Sequence, residues 1–497
     1  MLASLGIDVP TAILLGLALT LALSFEFVNG FHDTANAVAT VIYTRSLKPN
    51  YAVVWSGTWN LIGVLMSTGA VAFSIVALLP VELVINVGSG AGFAMVFALL
   101  TSAIIWNVGT WYLGLPASSS HTLIGSIVGV GLMNSLLSPN EAFGEGVNWA
   151  KVQDTVKALV VSPIMGFLLA GLLLLIARVI LAKRKELFRA PVGNETPPLW
   201  VRGLLILTCT GVSYAHGSND GQKGMGLMVL ILVGIVPAAY ALDLSASSTA
   251  LSGISSAATQ IEQQLHTVVP AGTALPSLDD AHRQLTAFLR TSKPDANTAP
   301  ALLVTNQSVV ARMTGVTDLH NVAGADRRDL RLNVYLVAES LARLGKVKQI
   351  PQGMDATAAD KYQKSLKSLT NFIPTWIKVA VALALGLGTM IGWKRIVVTV
   401  GEKIGKAHLT YAQGASAEIV AFATIETADM LGLPVSTTHI LSSGIAGTMV
   451  ASGSGVQGDT VRNIILAWVL TLPVCVLLGA GLFGAGLLVV FRVLGMH

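Results

Sequence analysis

Apolar runs of bilayer length recur along the whole chain, and polar motifs interrupt some of them at matching places. A helix needs about 20 apolar residues to cross the roughly 30 Å hydrocarbon core of a membrane. Residues 53–79, 91–113, 156–181, 376–393 and 464–488 meet that length outright. Residues 11–43, 114–133, 204–241 and 432–451 are apolar but broken by polar motifs. Only 11% of the 497 residues are charged, where a soluble domain carries about a quarter. A soluble fold is excluded, because its core would lack a charged shell; lipid supplies the missing solvent. Cys209 and Cys475 both lie in apolar runs and read as packing residues, so no disulfide or metal framework is expected. The net charge of +5 is modest, and no nucleic-acid partner is expected. Residues 11–27 lack a basic leader and a small-residue cleavage site, so they read as a retained span.

One polar segment, residues 243–372, stands apart. It holds 13 of the basic residues, and Leu330, Leu332, Val334, Leu336, Val337, Leu341 and Leu344 recur among charges at helical spacing. It reads as a soluble, mostly helical insert, with residues 244–258 either linker or helix. The broken segments repeat. Gly30-Phe31-His32-Asp33-Thr34-Ala35-Asn36-Ala37 (motif A) matches Gly217-Ser218-Asn219-Asp220-Gly221-Gln222-Lys223-Gly224 (motif A′) at an offset of 187. Gly114-Leu115-Pro116-Ala117-Ser118-Ser119-Ser120-His121 (motif B) matches Gly432-Leu433-Pro434-Val435-Ser436-Thr437-Thr438-His439 (motif B′) at an offset of 318. The offsets differ by about the length of the insert. Without it the chain is two similar halves, and broken apolar segments at matching positions of two halves point to a transporter's binding site.

The expected fold is therefore an all-α integral membrane protein, an inverted repeat of 10–12 transmembrane segments with two re-entrant hairpins. Residues 1–202 form the first repeat, 203–242 open the second, 243–372 are the insert and 373–497 complete the second repeat. Five crossings per half invert one half against the other. Arg45 and Lys48, the cluster from Arg178 to Arg202, and Lys394, Arg395, Lys403 and Lys406 then share one face. That is the cytoplasmic face by the positive-inside rule. The termini and the insert fall outside, in the periplasm of a cell with an inner membrane. Lys151 is the main basic residue on the wrong face.

Asp33 and Asp220 lie deep in apolar sequence, where a carboxylate costs about 2.5–3.5 kcal/mol on insertion scales. A matched pair is expected to face a cavity and bind a proton or cation; capping of a broken helix is the alternative. Asn36 lies three residues on, on the same helix face. Asn219 and His32 occupy equivalent slots, and His32 is either a proton-exchanging group or a packing histidine. Lys223 takes the slot of Asn36 and either pairs with Asp220 or meets the substrate, or else snorkels to the interface. Glu26 lies on the face of Asp33 and is placed near the same cavity.

Pro116 and Pro434 break their helices, and a new helix begins after each. Free N–H groups and the positive dipole end there attract an anion. Ser118, Ser119 and Ser120 add hydroxyls from one half, and Ser436, Thr437 and Thr438 from the other. Together they can replace the water around a tetrahedral oxyanion, although hydroxyls also serve to glue membrane helices. His121 and His439 are not expected to touch the ligand.

The four motifs, in this order over nearly the whole membrane portion, resemble those of the inorganic phosphate transporter (PiT) family, and most of all its bacterial low-affinity symporters with a soluble insert. The resemblance implies alternating access, with phosphate held between the hairpins and Asp33, Asn36, Asn219 and Asp220 lining the substrate and coupling-ion region. In the bacterial branch it implies proton coupling and a neutral divalent metal–phosphate complex as cargo, with no bound cofactor. The sequence departs from the sodium-coupled pattern at His32 and at Gln222-Lys223. A lysine where a cation would sit argues for protons over sodium. A sulfate transporter on the same scaffold is the nearest rival. A membrane hydrolase using His32-Asp33 and a phosphate sensor with the insert as output are further ones. A homo-oligomer is left open.

Overall fold

The computed structural model describes residues 7–33, 35–79, 87–138, 142–145, 147–193 and 196–492. Among these the only β pairing is a single bridge between Gly405 and Val456; everything else is helix and loop. Helix α1 (Val9–Asp33) and α2 (Ala35–Tyr43) carry motif A. Helix α3 (Pro49–Met66) turns by 76° into α4 (Ala70–Val76). Then come α5 (Gly90–Tyr112), α6 (Ser119–Leu137), α7 (Trp149–Ile180) and α8 (Leu199–Ile235). A short α9 (Pro237–Tyr240) leads into α10 (Ser248–Val268), α11 (Leu278–Thr291), α12 (Thr298–Met313), α13 (Gly324–Lys346) and α14 (Ala356–Thr370). The chain finishes with α15 (Thr375–Ile391), a short α16 (Lys394–Val398), α17 (Tyr411–Met430), α18 (Thr437–Ser452) and α19 (Gly458–Arg492).

Among the described residues, five helical stretches are long and apolar enough to cross a membrane, or up to seven if each bent helix pair counts as one span. That is fewer than the ten crossings read from the sequence. The shortfall lies in helices whose middles are polar or short. At 37 residues α8 is about 55 Å long, more than a bilayer core, but Asp220 and Lys223 sit inside it. Helix α17 carries Glu418, Glu426 and Asp429, and α18 has only 16 residues.

The sequence leads one to expect a break at motif A′; α8 instead runs unbroken through it. The motif holds no proline, and its glycines let neighbours approach closely. A Cβ on Gly217 would lie 2.1 Å from the Asn60 carbonyl, and one on Gly221 would lie 2.5 Å from Val64. The polar side chains find partners across the bundle, so the backbone has no need to open. Around motif A, Thr34 lies outside the described residues.

Small residues set the packing between the membrane helices, as expected where lipid is as apolar as leucine. Gly388 of α15 would touch the Phe27 carbonyl of α1, and Gly63 of α3 the Tyr214 carbonyl of α8, each at 2.1 Å from an added Cβ. Gly129 meets α19 and Gly447 meets α7 in the same way. Val160, Ile164, Leu168 and Leu172 of α7, with Val469 and Leu477 of α19, stay exposed. Such a continuous apolar exterior fits lipid. Residues 244–258, left as linker or helix, belong mostly to α10. Helices α10–α14 enclose a core of their own, built from residues such as Leu251, Ile261, Leu302, Val334 and Tyr362. Arg331 ties this unit to its neck by donating to the carbonyls of Ala241 (2.6 Å) and Thr370 (3.3 Å).

Candidate functional site

The two hairpins begin alike. Gly114 and Gly432 adopt φ of +68° and +63°, a conformation that costs a residue with a Cβ about 1 kcal/mol or more. Extended residues follow, and then α6 and α18 start at Ser119 and Thr437. Ser118 accepts from the His121 N–H (3.2 Å) and Ser436 from the His439 N–H (3.1 Å). These two hydroxyls are therefore N-caps that fix the helix starts. Ser120 donates to the Val435 carbonyl at 2.7 Å, and the His121 and His439 rings lie 4.7 Å apart. Those contacts join the two hairpins directly.

Asp33 is the meeting point. Its Oδ2 accepts from Ser119 Oγ at 2.7 Å and from the Ser119 N–H at 3.4 Å; its Oδ1 accepts from Thr438 Oγ1 at 2.9 Å. One carboxylate thus receives a hydroxyl from α6 and another from α18, plus an N–H from the first turn of α6, where the dipole favours negative charge. His32 reaches Asp33 through Nδ1 (2.8 Å) and Thr110 through Nε2 (3.0 Å), so both ring nitrogens are engaged. Asn36 donates to the Asp33 carbonyl (2.8 Å) and to Thr438 Oγ1 (3.0 Å).

The second copy lies alongside. Lys223 Nζ is 2.8 Å from Asp220 Oδ2 and 3.3 Å from Ser119 Oγ, and it is fully buried. Pairing, not snorkelling, accounts for it. Ser119 stands between the two aspartates, 3.3 Å from Asp220 Oδ2. Thr437 contacts His216 Nδ1 at 2.9 Å, and Asn219 donates to the Leu433 carbonyl at 3.2 Å. All twelve residues singled out from the sequence are buried. Among the described residues, Asn36 Oδ1, Asn219 Oδ1 and Asp220 Oδ1 have no hydrogen-bond partner. Such acceptors suit a proton-bearing or cationic guest, since an unmet buried acceptor costs about 1–3 kcal/mol.

Sequence reading missed several buried groups. His216 contacts Thr437, Asp429 takes Ser218 (2.8 Å) and Gln222 (2.6 Å), and Glu418 accepts short hydrogen bonds from Thr40 and Thr208. Glu418 is a lone acidic residue in apolar sequence, and that signal was available; His216 and Asp429 sit among other polar residues. Glu26 is buried against Gly224 and accepts from Asn29 at 3.3 Å. Among the described residues no three His, Cys, Asp or Glu side chains gather as a metal site.

Fold and site together define a multi-pass, all-helical membrane protein with paired buried carboxylates joined to two helix starts. Residues 29–479 match the phosphate transporter family, and the chain belongs to that family, whose members are transporters. The low-affinity inorganic phosphate transporters PitB and PitA of Escherichia coli K12 are each 42% identical over 494 residues, covering 96% of this chain and 97% of each relative. A low-affinity inorganic phosphate transporter of Buchnera aphidicola is 40% identical over 500 residues, covering 97% of this chain and 98% of its own length. Among solved structures, one described as the sodium-dependent phosphate transporter matches with a TM-score of 0.51 at 19% identity, covering 95% of this chain and 98% of that one. That likeness is one of fold.

Proposed function

We propose that the chain is a low-affinity inorganic phosphate symporter of a bacterial inner membrane, driven by protons and carrying a neutral divalent metal–phosphate complex by alternating access. The observation that carries this reading is Asp33 held by Ser119 from one hairpin and Thr438 from the other, with the Asp220–Lys223 pair beside it. The relatives' names supply phosphate as the substrate. An oxyanion approaching two carboxylates meets like charge in a poorly solvated place. It can settle there only if protons or a cation come with it. The metal then travels as cargo, between the phosphate oxygens and Asp33 or Asp220. The Lys223 ammonium occupies the slot where a sodium ion would need a neutral ligand, which favours protons. His32, bridging Asp33 to Thr110, can hold or pass one of them.

Reciprocal packing supports an inverted repeat with two re-entrant hairpins: α1 packs on α15 as α8 does on α3, and α6 on α19 as α18 does on α7. In this reading residues 1–202 and 203–497 are the two repeats, residues 243–372 are the insert, and the insert and termini face the periplasm. Uptake of labelled phosphate into proteoliposomes, with pH, sodium and magnesium varied independently, tests the whole. Uptake should follow the pH gradient, need the divalent ion and resist competition by sulfate. Uptake that follows sodium and ignores pH overturns the coupling.

A further inference from the structure

We infer that the chamber between the insert and the membrane helices is a second oxyanion site, where inorganic phosphate is held before it reaches the hairpins. The inference rests on the reading of the chain as a phosphate transporter and adds a place to it.

The chamber has a volume of about 700 Å³ and lies between α13 and α14 above and α4, the start of α7 and the end of α8 below. Six charged residues line it: Lys151, Arg328, Asp329, Arg331, Glu339 and Lys367. Both carboxylates have a cationic partner, and Asp329 shares its partner Arg312 with Asp326, 2.9 Å from that guanidinium. Glu339 lies 2.7 Å from Lys367, and Asp329 lies 3.3 Å from Arg312. Asp154, one turn from Lys151, is taken by Lys346 at 3.0 Å. Among the described residues Lys151 and Arg328 have no ion-pair partner. The Arg331 guanidinium is fixed by two backbone carbonyls, which orient it without cancelling its charge. Burial pulls Arg331 down to about 10, so it remains charged at neutral pH. Four cations thus face two carboxylates in one chamber, and a low-dielectric wall focuses the net positive field on an anion. Lys151 is also the residue that breaks the charge alternation of the loops; a role inside the chamber accounts for its place.

The floor of the chamber is the rim of the hairpin site. Leu230 lines it, seven residues beyond Lys223 on α8 and so about 10 Å along the helix. Gly432 also lines it and opens the second hairpin, and the carbonyl of the next residue, Leu433, takes the Asn219 amide.

The shared chemistry is a phosphate oxyanion, which a lipid headgroup could also supply. The test is phosphate uptake by the full chain in phosphatidylcholine vesicles, with and without phosphatidylglycerol. The variant Lys151→Gln/Arg328→Gln should raise KM about fivefold with little change in the maximal rate, and it should flatten the dependence on salt. Lys151→Arg should keep the native KM. Glu339→Gln, which frees Lys367, should lower KM. Both KM values unmoved, in vesicles where the native chain transports phosphate, overturn the chamber alone. A shift seen only with phosphatidylglycerol assigns it to lipid and overturns the claim for inorganic phosphate. Native vesicles that take up no phosphate overturn the transporter reading itself.

Discussion

Replacing Lys223 by methionine isolates the buried ion pair at the centre of the site. The side chain keeps its length and loses its charge. Asp220 then keeps only distant company: Oδ1 already lacks a partner, Ser119 is 3.3 Å from Oδ2, and His216 Nδ1 is 3.7 Å away. Removing one member of a buried pair costs about 3–5 kcal/mol, because the other is left as an uncompensated charge. Removing both is far cheaper, and replacing a buried pair by neutral groups is often close to neutral. Lys223→Met should therefore lose at least about 3 kcal/mol of unfolding free energy, and Lys223→Met/Asp220→Asn should recover most of it. Denaturant titration of the purified protein in detergent, read as a double-mutant cycle, measures the coupling. Phosphate uptake should be lost in both variants, which separates fold from function. A single variant within about 1 kcal/mol of the native protein would refute the reasoning, since the 2.8 Å contact would then carry no weight.

Ser119→Ala removes a hydroxyl that reaches Asp33 at 2.7 Å; a hydrogen bond to a charged group is worth about 1.5–3 kcal/mol, so kcat/KM for phosphate should fall about 10- to 100-fold, and Ser119→Thr should restore part of it. Gly63→Ala would place a Cβ 2.1 Å from the Tyr214 carbonyl, whereas Gly109 has open space; thermal melts should show a loss of about 1–3 kcal/mol for the first and no loss for Gly109→Ala. Arg331→Ala removes both ties at the neck of the insert, and limited proteolysis should then cut within residues 243–372 while the membrane helices stay intact.

Much of the membrane architecture was legible because lipid imposes a simple rule. A segment that crosses must be apolar and must satisfy its own backbone, so long runs such as residues 156–181 announce themselves. Gly-Leu-Pro shortly before three hydroxyl residues marked the starts of α6 and α18, since proline and a positive-φ glycine are local causes of a break. The reading failed where partners are remote. Motif A′ looked like a break because it is polar, yet α8 continues through it, because Gly217 and Gly221 fit against α3. Ser118 and Ser436 also cap their helices, accepting from the His121 and His439 N–H groups. Glu418 was legible as an acidic residue in an apolar run, but its partners were not, because Thr40 and Thr208 lie on other helices.

By itself the sequence determined that the chain is built of long apolar helices suited to lipid, and it picked out polar residues that the fold buries. Periodicity, proline and the cost of a buried charge act over a few residues, and a linear string records them. Only the tertiary structure decided that Asp33, and not Asp220, collects a hydroxyl from both α6 and α18, and that, of the roles open to it, Lys223 pairs with Asp220. The bond from Thr438 to Asp33 joins residues 405 apart in the chain. Such a contact depends on how closely glycine-faced helices can approach, a property of packing that no local pattern encodes.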